Sequence, residues 1–417
     1  MGLHAHKPID EAAMMWSSPD YSICQVLREI YFTTDNPAIK MHARVATAMA
    51  KAMTAKMEEY KAEWEKGFWD KNPRHNGQVA ALDHALNRAE RVSTMQSKSG
   101  KTWDVFYFCE NDWANSAFRY AKCLRLAGLN VLGAKIHPHP FFYPESLPTY
   151  PSIQTESIQH FVNRSHVTVL HNTTMVDGVD FSKANVVVQH GGMTYRQYYQ
   201  EVNAEFNQFA KATIIQCPDL LGKGAWNEHW ITYPVDTDYI VPIQRKGHED
   251  GKMVVGHFPS VPWQKGTQAI NEVINSIPGD RLKYVGQVDA ERSDPKTWND
   301  HLQRLSNVDV YIECLCPAQG KEPYGEFGNQ CLEACAMGKI VITNCQNIDL
   351  YRKEYGEPGF FVANTPEQLR EALDRVMGFS QNELNYYRQA ARDWVVKHHS
   401  MPATAKRLWD RVYRRFF

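Results

Sequence analysis

The sequence predicts an α/β chain of two doubly wound parallel sheets that face a cleft, joined by a short linker and preceded by a helical extension. Three observations carry this reading. From Thr102 onward, short apolar runs alternate with amphipathic stretches, as in repeated βαβ units. A Pro- and Asp-rich segment, "YPVDTDYIVP" (233–242), interrupts the alternation, which then restarts. The first hundred residues carry little strand signal but hold a helix-period stripe, Met41, Val45, Met49, Met53, Met57, Tyr60 and Trp64.

The first α/β unit, 101–232, opens with "WDVFYFCEND", a helical "WANSAFRYAKCLRLAG" ending at Gly128, and "LNVLGAKI". A helix stopped by glycine and followed by an apolar run is the signature of a parallel crossover. "HVTVLHN", "ANVVVQHGG" and "ATIIQCPDLL" supply the further strands. The linker is placed at 233–250. The second unit, 251–395, reads as "KMVVGHF", helix "GTQAINEVINSI", "LKYVGQV", helix "WNDHLQRLS", "VDVYIECLC", helix "GNQCLEACAMG" and "KIVITN". From Thr365 the tail is helical, with N-caps expected at Thr365 and Ser380, each supported by a nearby glutamate. Residues 396–417 form a terminal helix whose apolar face, Leu408, Trp409, Val412 and Phe416, docks back on the first unit.

Composition narrows the function classes. With 46 Lys+Arg against 47 Asp+Glu, the 417-residue chain has no global field to gather nucleic acid or an anionic membrane. No apolar run is long enough to span a bilayer, and the start lacks the parts of a signal peptide, so a cytoplasmic protein is expected. The nine cysteines sit mostly in apolar runs, which suits reduced core thiols. No metal site is expected: the cysteine spacings fit no standard zinc pattern, and "DTD" at 236–238 belongs to the linker. No G-x-G-x-x-G follows an early strand, which argues against a dinucleotide enzyme.

Open α/β sheets bind ligands beyond the carboxyl ends of their strands, so the site belongs in the cleft. There the segment "KEPYGEFGNQCLEACAMGKIVIT" (321–343) runs from a glycine-rich loop into a helix starting near Gly328 or Asn329. A helix amino end carries unpaired N–H groups and a positive dipole end, a ready anion site. Glu333, in the second turn, suits the vicinal hydroxyls of a ribose.

These residues resemble the retaining, nucleotide-sugar-dependent glycosyltransferases of GT-B architecture, glycosyltransferase family 4 in particular. Phe327-Gly328, Glu333-Ala334, Gly338 and Ile340-Val341-Ile342 match the family segment. The family's first acidic residue falls on Gly325 here, with Glu326 beside it and Glu322 as a rival for the donor-sugar contact. "VGHFPSVPWQKGTQAI" (255–270) resembles the family's phosphate loop, which implies donor contacts from His257, Ser260, Lys265 and Gly266, Lys265 neutralising the pyrophosphate. "YPVDTDYIVP" resembles the interdomain linker, and "QHGGMTYRQ" (189–197) resembles the cleft His-Gly segment.

The resemblance covers about 300 residues, from 102 on. It implies His190, Glu326 and Lys265 as catalytic residues, with Arg196, Phe327, Gly328, Asn329 and Glu333 also at the donor. It implies transfer from a nucleotide diphosphate sugar, bound by the second unit as the donor domain, to a hydroxyl acceptor on the first unit as the acceptor domain, without a metal or other cofactor. Two alternatives stand beside it. One is a phage-type transferase acting on hydroxymethylated bases in modified DNA, since "SICQVLREIY" and the Met-rich helix look like extensions on phage-encoded proteins. The other is a sugar-nucleotide-binding protein without catalysis.

Overall fold

The structure, a computed structural model, describes residues 100–172, 174–243, 252–289, 296–315 and 326–417. The helical extension, Glu322 and Gly325 lie outside the described residues.

In the first half, β1 (Trp103–Cys109), β2 (Val131–Lys135), β3 (Ser165–His171), β4 (Asn185–His190), β5 (Ala210–Ile215) and β6 (Glu228–Trp230) form one sheet. Its order is β2-β1-β3-β4-β5-β6 and every pairing is parallel. The central strands are apolar on both faces because helices cover both faces, the usual condition of an all-parallel sheet. Those helices are α1 (Ser116–Leu126), α2 (Thr155–Asn163) and α3 (Met193–Phe206). Strand order reverses between β1 and β3, which opens a crevice beyond their carboxyl ends.

The second half repeats the plan with β7 (Met253–Gly256), β8 (Leu282–Tyr284), β9 (Val310–Ile312), β10 (Ile340–Thr343) and β11 (Phe361–Val362). All pairings are parallel in the order β11-β10-β9-β7-β8, and the reversal falls between β7 and β9. Helices α4 (Thr267–Asn275), α5 (Trp298–Ser306), α6 (Asn329–Ala336), α7 (Ile348–Tyr355) and α8 (Pro366–Met377) alternate with these strands. Thr365 caps α8 by accepting from Gln368 N. Ser380 and Glu383 form a reciprocal capping box at the start of α9 (Gln381–His399).

The chain crosses between the halves twice, and the crossings lie side by side. Val235 N donates to His399 O at 2.8 Å, and Val235 bridges Ser400. Arg392 ties this point down by donating to the carbonyls of Thr237 (2.7 Å), Ile240 (2.6 Å) and Ala336 (2.7 Å). After Ser400, α10 (Met401–Leu408) and a π-helical turn, Trp409–Tyr413, lie on the first half. There Met401, Leu408, Trp409, Val412 and Tyr413 are buried with Val105, Val167 and Ile214. The terminal segment therefore presents its apolar face to the protein itself.

The seven described cysteines are all buried and unbridged. Among the described residues, no helix is long and apolar enough to cross a membrane.

Candidate active site

A cavity of about 460 Å³ lies between the two sheets, at both reversal points. The loops after β1, β3 and β4 supply Trp113, His171, Asn172, Gly191 and Gly192 to its wall. The opposite side supplies Ser260, Lys265, Glu313, Gly328, Asn329 and Glu333.

Lys265 projects from the turn before α4 and forms an ion pair with Glu313, which follows β9 and is fully buried. Burial opposes ionisation of Glu313. Lys265, the Cys314 thiol at 2.7 Å and the Thr343 hydroxyl at 3.1 Å outweigh it and hold its pKa below the usual carboxylate value. Gly328 N, at the amino end of α6, also donates to Glu313, at 3.3 Å. A lysine, a carboxylate and a helix amino end thus converge on one point. A Cβ at position 328 would stand 3.2 Å from Glu313 Oε1 and 3.3 Å from Lys265 Nζ, so glycine there permits the close approach.

Glu333, one turn into α6, is buried and is held from both halves. Arg119 of α1 forms an ion pair with it, the Trp298 indole Nε1 donates to it at 3.0 Å, and His301 Nε2 lies 3.8 Å away. Burial lowers the pKa of His301, which keeps that ring neutral. Asn329 has a buried side-chain oxygen without a hydrogen-bond partner beside the cavity.

The structure brings Ser260, Lys265, Gly328, Asn329 and Glu333 together on the wall and places the other expected site residues elsewhere. His190 is buried at the end of β4, stacked on Tyr195 with ring centroids 4.1 Å apart, and Gly191 and Gly192 take the wall in its place. Its two ring nitrogens have no hydrogen-bond partner, and burial lowers its pKa to about 3. His257 is a fully buried brace. The Ile312 carbonyl lies 2.9 Å from Nδ1, and the Thr267 hydroxyl, which donates to Pro262 O, lies 2.9 Å from Nε2, so the ring joins β9 to the start of α4.

Arg196 makes a bidentate pair with Asp219, at 2.7 and 3.0 Å, and donates to Gly191 O at 3.1 Å. It shapes the turn behind the wall. Gly266, at φ 70°, turns the chain into α4, and Phe327 packs in the core against Tyr351 and Phe360. Glu326 is buried beside Asn347, whose backbone N and Nδ2 donate to it at 3.0 and 2.5 Å; burial lifts its pKa to about 7. A histidine or glutamate beyond a strand is drawn into the core when later residues, here Tyr195 and Asn347, supply its surroundings.

Sequence reasoning missed Glu313, Arg119 and His171. Glu313 and His171 stand at strand ends that face the cleft, and that position was the available signal. Arg119 had none: its partner lies 214 residues away. Among the described residues, no group of three or more His, Cys, Asp or Glu is close enough to hold a metal ion. Asp236 of the "DTD" segment instead pairs with Lys122 at 2.8 Å.

No protein-family model and no curated protein matches the chain. Solved structures do. A glycosyltransferase from Rickettsia africae ESF-5 aligns at 12% identity and TM-score 0.51, covering 76% of this chain and 98% of that one. HepE of Anabaena, in complex with UDP and glucose, aligns at 11% identity and TM-score 0.49, covering 74% and 99%. Sucrose-phosphate synthase from Thermosynechococcus elongatus aligns at 13% identity and TM-score 0.48, covering 75% and 99%. The first likeness extends over nearly the whole of its partner and shows the fold: two parallel α/β halves across a cleft, the GT-B architecture.

Proposed function

We propose that the chain is a metal-independent, retaining glycosyltransferase that moves a sugar from a nucleotide diphosphate sugar to a hydroxyl acceptor. The observation that carries this is the convergence of Lys265, the amino end of α6 and the Glu333 carboxylate on one 460 Å³ cavity between two parallel sheets. Anion, pentose and a third group all have room there. The fold shared with the Rickettsia glycosyltransferase supports the reading, as does the family resemblance of 255–270 and 326–342.

In the proposed reaction the bond from the anomeric carbon to the diphosphate oxygen breaks, and the diphosphate leaves with the electron pair. The acceptor oxygen bonds to that carbon from the same face, and its proton passes to the departing diphosphate. Charge therefore grows on the diphosphate. Lys265 and the N–H groups of the first turn of α6 are held ready to meet it, a fixed electrostatic arrangement that needs no reorganisation at the moment of transfer. Glu313 engages the same lysine and amide, so the incoming diphosphate takes over its contacts with Lys265 and Gly328 N. Glu333 accepts from the pentose hydroxyls, with Trp298 and Arg119 fixing its orientation. Closure about the paired crossings at Val235 and Ser400 excludes water.

A thermal-shift screen of nucleoside diphosphates and their sugars tests this, because a ligand that binds only the folded form raises its apparent stability. We expect at least one to raise the transition, Lys265→Ala and Glu333→Ala to abolish the rise, and transfer to continue in excess EDTA. A screen without any shift, or shifts unchanged in both variants, would overturn the donor assignment. Activity lost to EDTA and restored by Mn²⁺ would overturn the metal-independent part alone.

A further inference from the structure

The two carboxylate oxygens of Glu333 are not equivalent. Arg119 Nη2 and Trp298 Nε1 both donate to Oε1, the indole at 3.0 Å. A carboxylate oxygen has two lone-pair sites, so these two donors fill it. Oε2 has no such partner among the described residues: His301 Nε2 lies 3.8 Å away, beyond hydrogen-bond reach, and no other described group donates to it. Nor is Oε2 shut away. The unpartnered polar atoms sealed inside the protein include His301 Nε2 and Arg119 Nη1 but not Glu333 Oε2, and Glu333 lines the 460 Å³ cavity. Oε2 is therefore the atom that Glu333 offers to a ligand.

Neither donor on Oε1 is easily moved aside. Trp298 opens α5, and its backbone N donates across the halves to Phe141 O at 2.8 Å. Its ring packs against Tyr239, with centroids 5.3 Å apart and planes 28° apart, and against Tyr143 at 5.6 Å. Swinging the indole off Glu333 would break this packing and strand a buried N–H, which costs more than the hydrogen bond itself. Arg119 is buried in α1, and the start of that helix is fixed by the Asp112 carboxylate, which accepts from Ala117 N at 2.6 Å and Phe118 N at 3.1 Å. Pulling the guanidinium away would leave two buried charges uncompensated. An incoming hydroxyl thus meets an oxygen that is already full.

We infer, resting on the donor reading of this cavity, that Glu333 holds the pentose through Oε2 and a single hydroxyl, so that the site accepts nucleoside diphosphate sugars built on a deoxypentose as well as on ribose. Two vicinal hydroxyls sit naturally across a carboxylate, one on each oxygen. The sequence suggested a seat for such a pair, and the fold fills half of that seat with Arg119 and Trp298. A site that needs both hydroxyls rejects an analogue lacking one, because a buried protein group is then left without its partner. Here no group is so left. Oε1 keeps its two protein donors whichever hydroxyl is missing, and the remaining hydroxyl serves Oε2.

The test is calorimetric titration with UDP, 2′-deoxy-UDP, 3′-deoxy-UDP and 2′,3′-dideoxy-UDP, and with the matching guanosine and adenosine series, on the parent protein and Trp298→Phe. The phenylalanine keeps a ring between Tyr143 and Tyr239 and removes the N–H, which opens one site on Oε1. In the parent we expect at least one monodeoxy form to match the ribo form within about twofold in Kd and the dideoxy form to bind about tenfold more weakly, the scale of one hydrogen bond to a charged group. In Trp298→Phe a vicinal pair can bridge both oxygens, so the ribo form should gain about tenfold on both monodeoxy forms. Three results overturn the inference: both monodeoxy forms about tenfold weaker than the ribo form in the parent, a dideoxy form that binds as tightly as the ribo form, or a ribo-to-deoxy ratio unchanged in Trp298→Phe. The unliganded transition of Trp298→Phe reports its fold, and should that variant not fold, the parent series decides alone. Ribonucleotide binding together with any of the three results strikes the single-hydroxyl contact and leaves the donor reading standing; no binding in any series overturns both.

Discussion

Arg119→Met is the most informative single change, because the Arg119–Glu333 pair joins α1 of one half to α6 of the other with side chains only 6% and 3% exposed. Truncating the arginine leaves a buried carboxylate with one strong donor, Trp298 Nε1 at 3.0 Å, while His301 is too far, at 3.8 Å, for a hydrogen bond. Breaking a buried pair from one side costs about 3–5 kcal/mol, since the remaining charge has lost its compensation. At roughly 2.1 cal/mol/K of unfolding entropy per residue over 417 residues, this is a fall of about 3–6 °C in Tm. Adding Glu333→Gln removes the stranded charge yet keeps an acceptor for the indole, so the double variant should regain much of the loss. Calorimetry on the parent, the two single variants and the double variant closes the cycle. A fall under 1 °C in Arg119→Met, or a double variant as unstable as the sum of the singles, would refute the pair as a dry contact between the halves.

Three further changes probe other parts of the structure. Glu326 keeps its proton to about pH 7 when folded against an ordinary 4.5, so the unfolded chain binds fewer protons between those values and stability falls as pH rises through that window. Glu326→Gln should flatten this slope in denaturant titrations at pH 5 and pH 7; an unchanged slope assigns the titration elsewhere. Glu313→Gln removes the carboxylate facing Lys265. It should lower Tm without ligand and enlarge the rise caused by a nucleoside diphosphate, and a smaller rise than in the parent would contradict the idea that Glu313 holds the anion's place. Gly359→Ala would put a Cβ 2.9 Å from Ala391 N of α9, against backbone that cannot swing aside. A loss of about 1–3 kcal/mol is expected from such overpacking, and a neutral result by chemical denaturation would show that α9 sits further away.

The sequence was informative wherever the determining interactions are local. Apolar runs bounded by glycine or polar caps located the main strands, and the Thr365 and Ser380 caps were legible because a cap and its partner lie three residues apart. The strand Glu228–Trp230 carries no apolar run, and helix α3, "MTYRQYYQEVNAEF", is mostly polar, so neither announced itself. The candidate site divides in the same way. Lys265, Gly328 and Glu333 belong to short motifs whose backbone geometry alone puts them at the cleft. Whether a side chain such as His190, His257 or Glu326 faces the cleft or the core depends on partners that no spacing rule reveals.

The packing of α10 and the turn after it on the first sheet has a consequence for how the chain folds. Leu408, Trp409, Val412 and Tyr413 cover strands that were synthesised about two to three hundred residues earlier. The core of the first half therefore includes residues from the very end of the described chain. Completion of that core waits for the last stretch of polypeptide, so removing residues 401–417 is expected to leave an apolar flank on the first sheet.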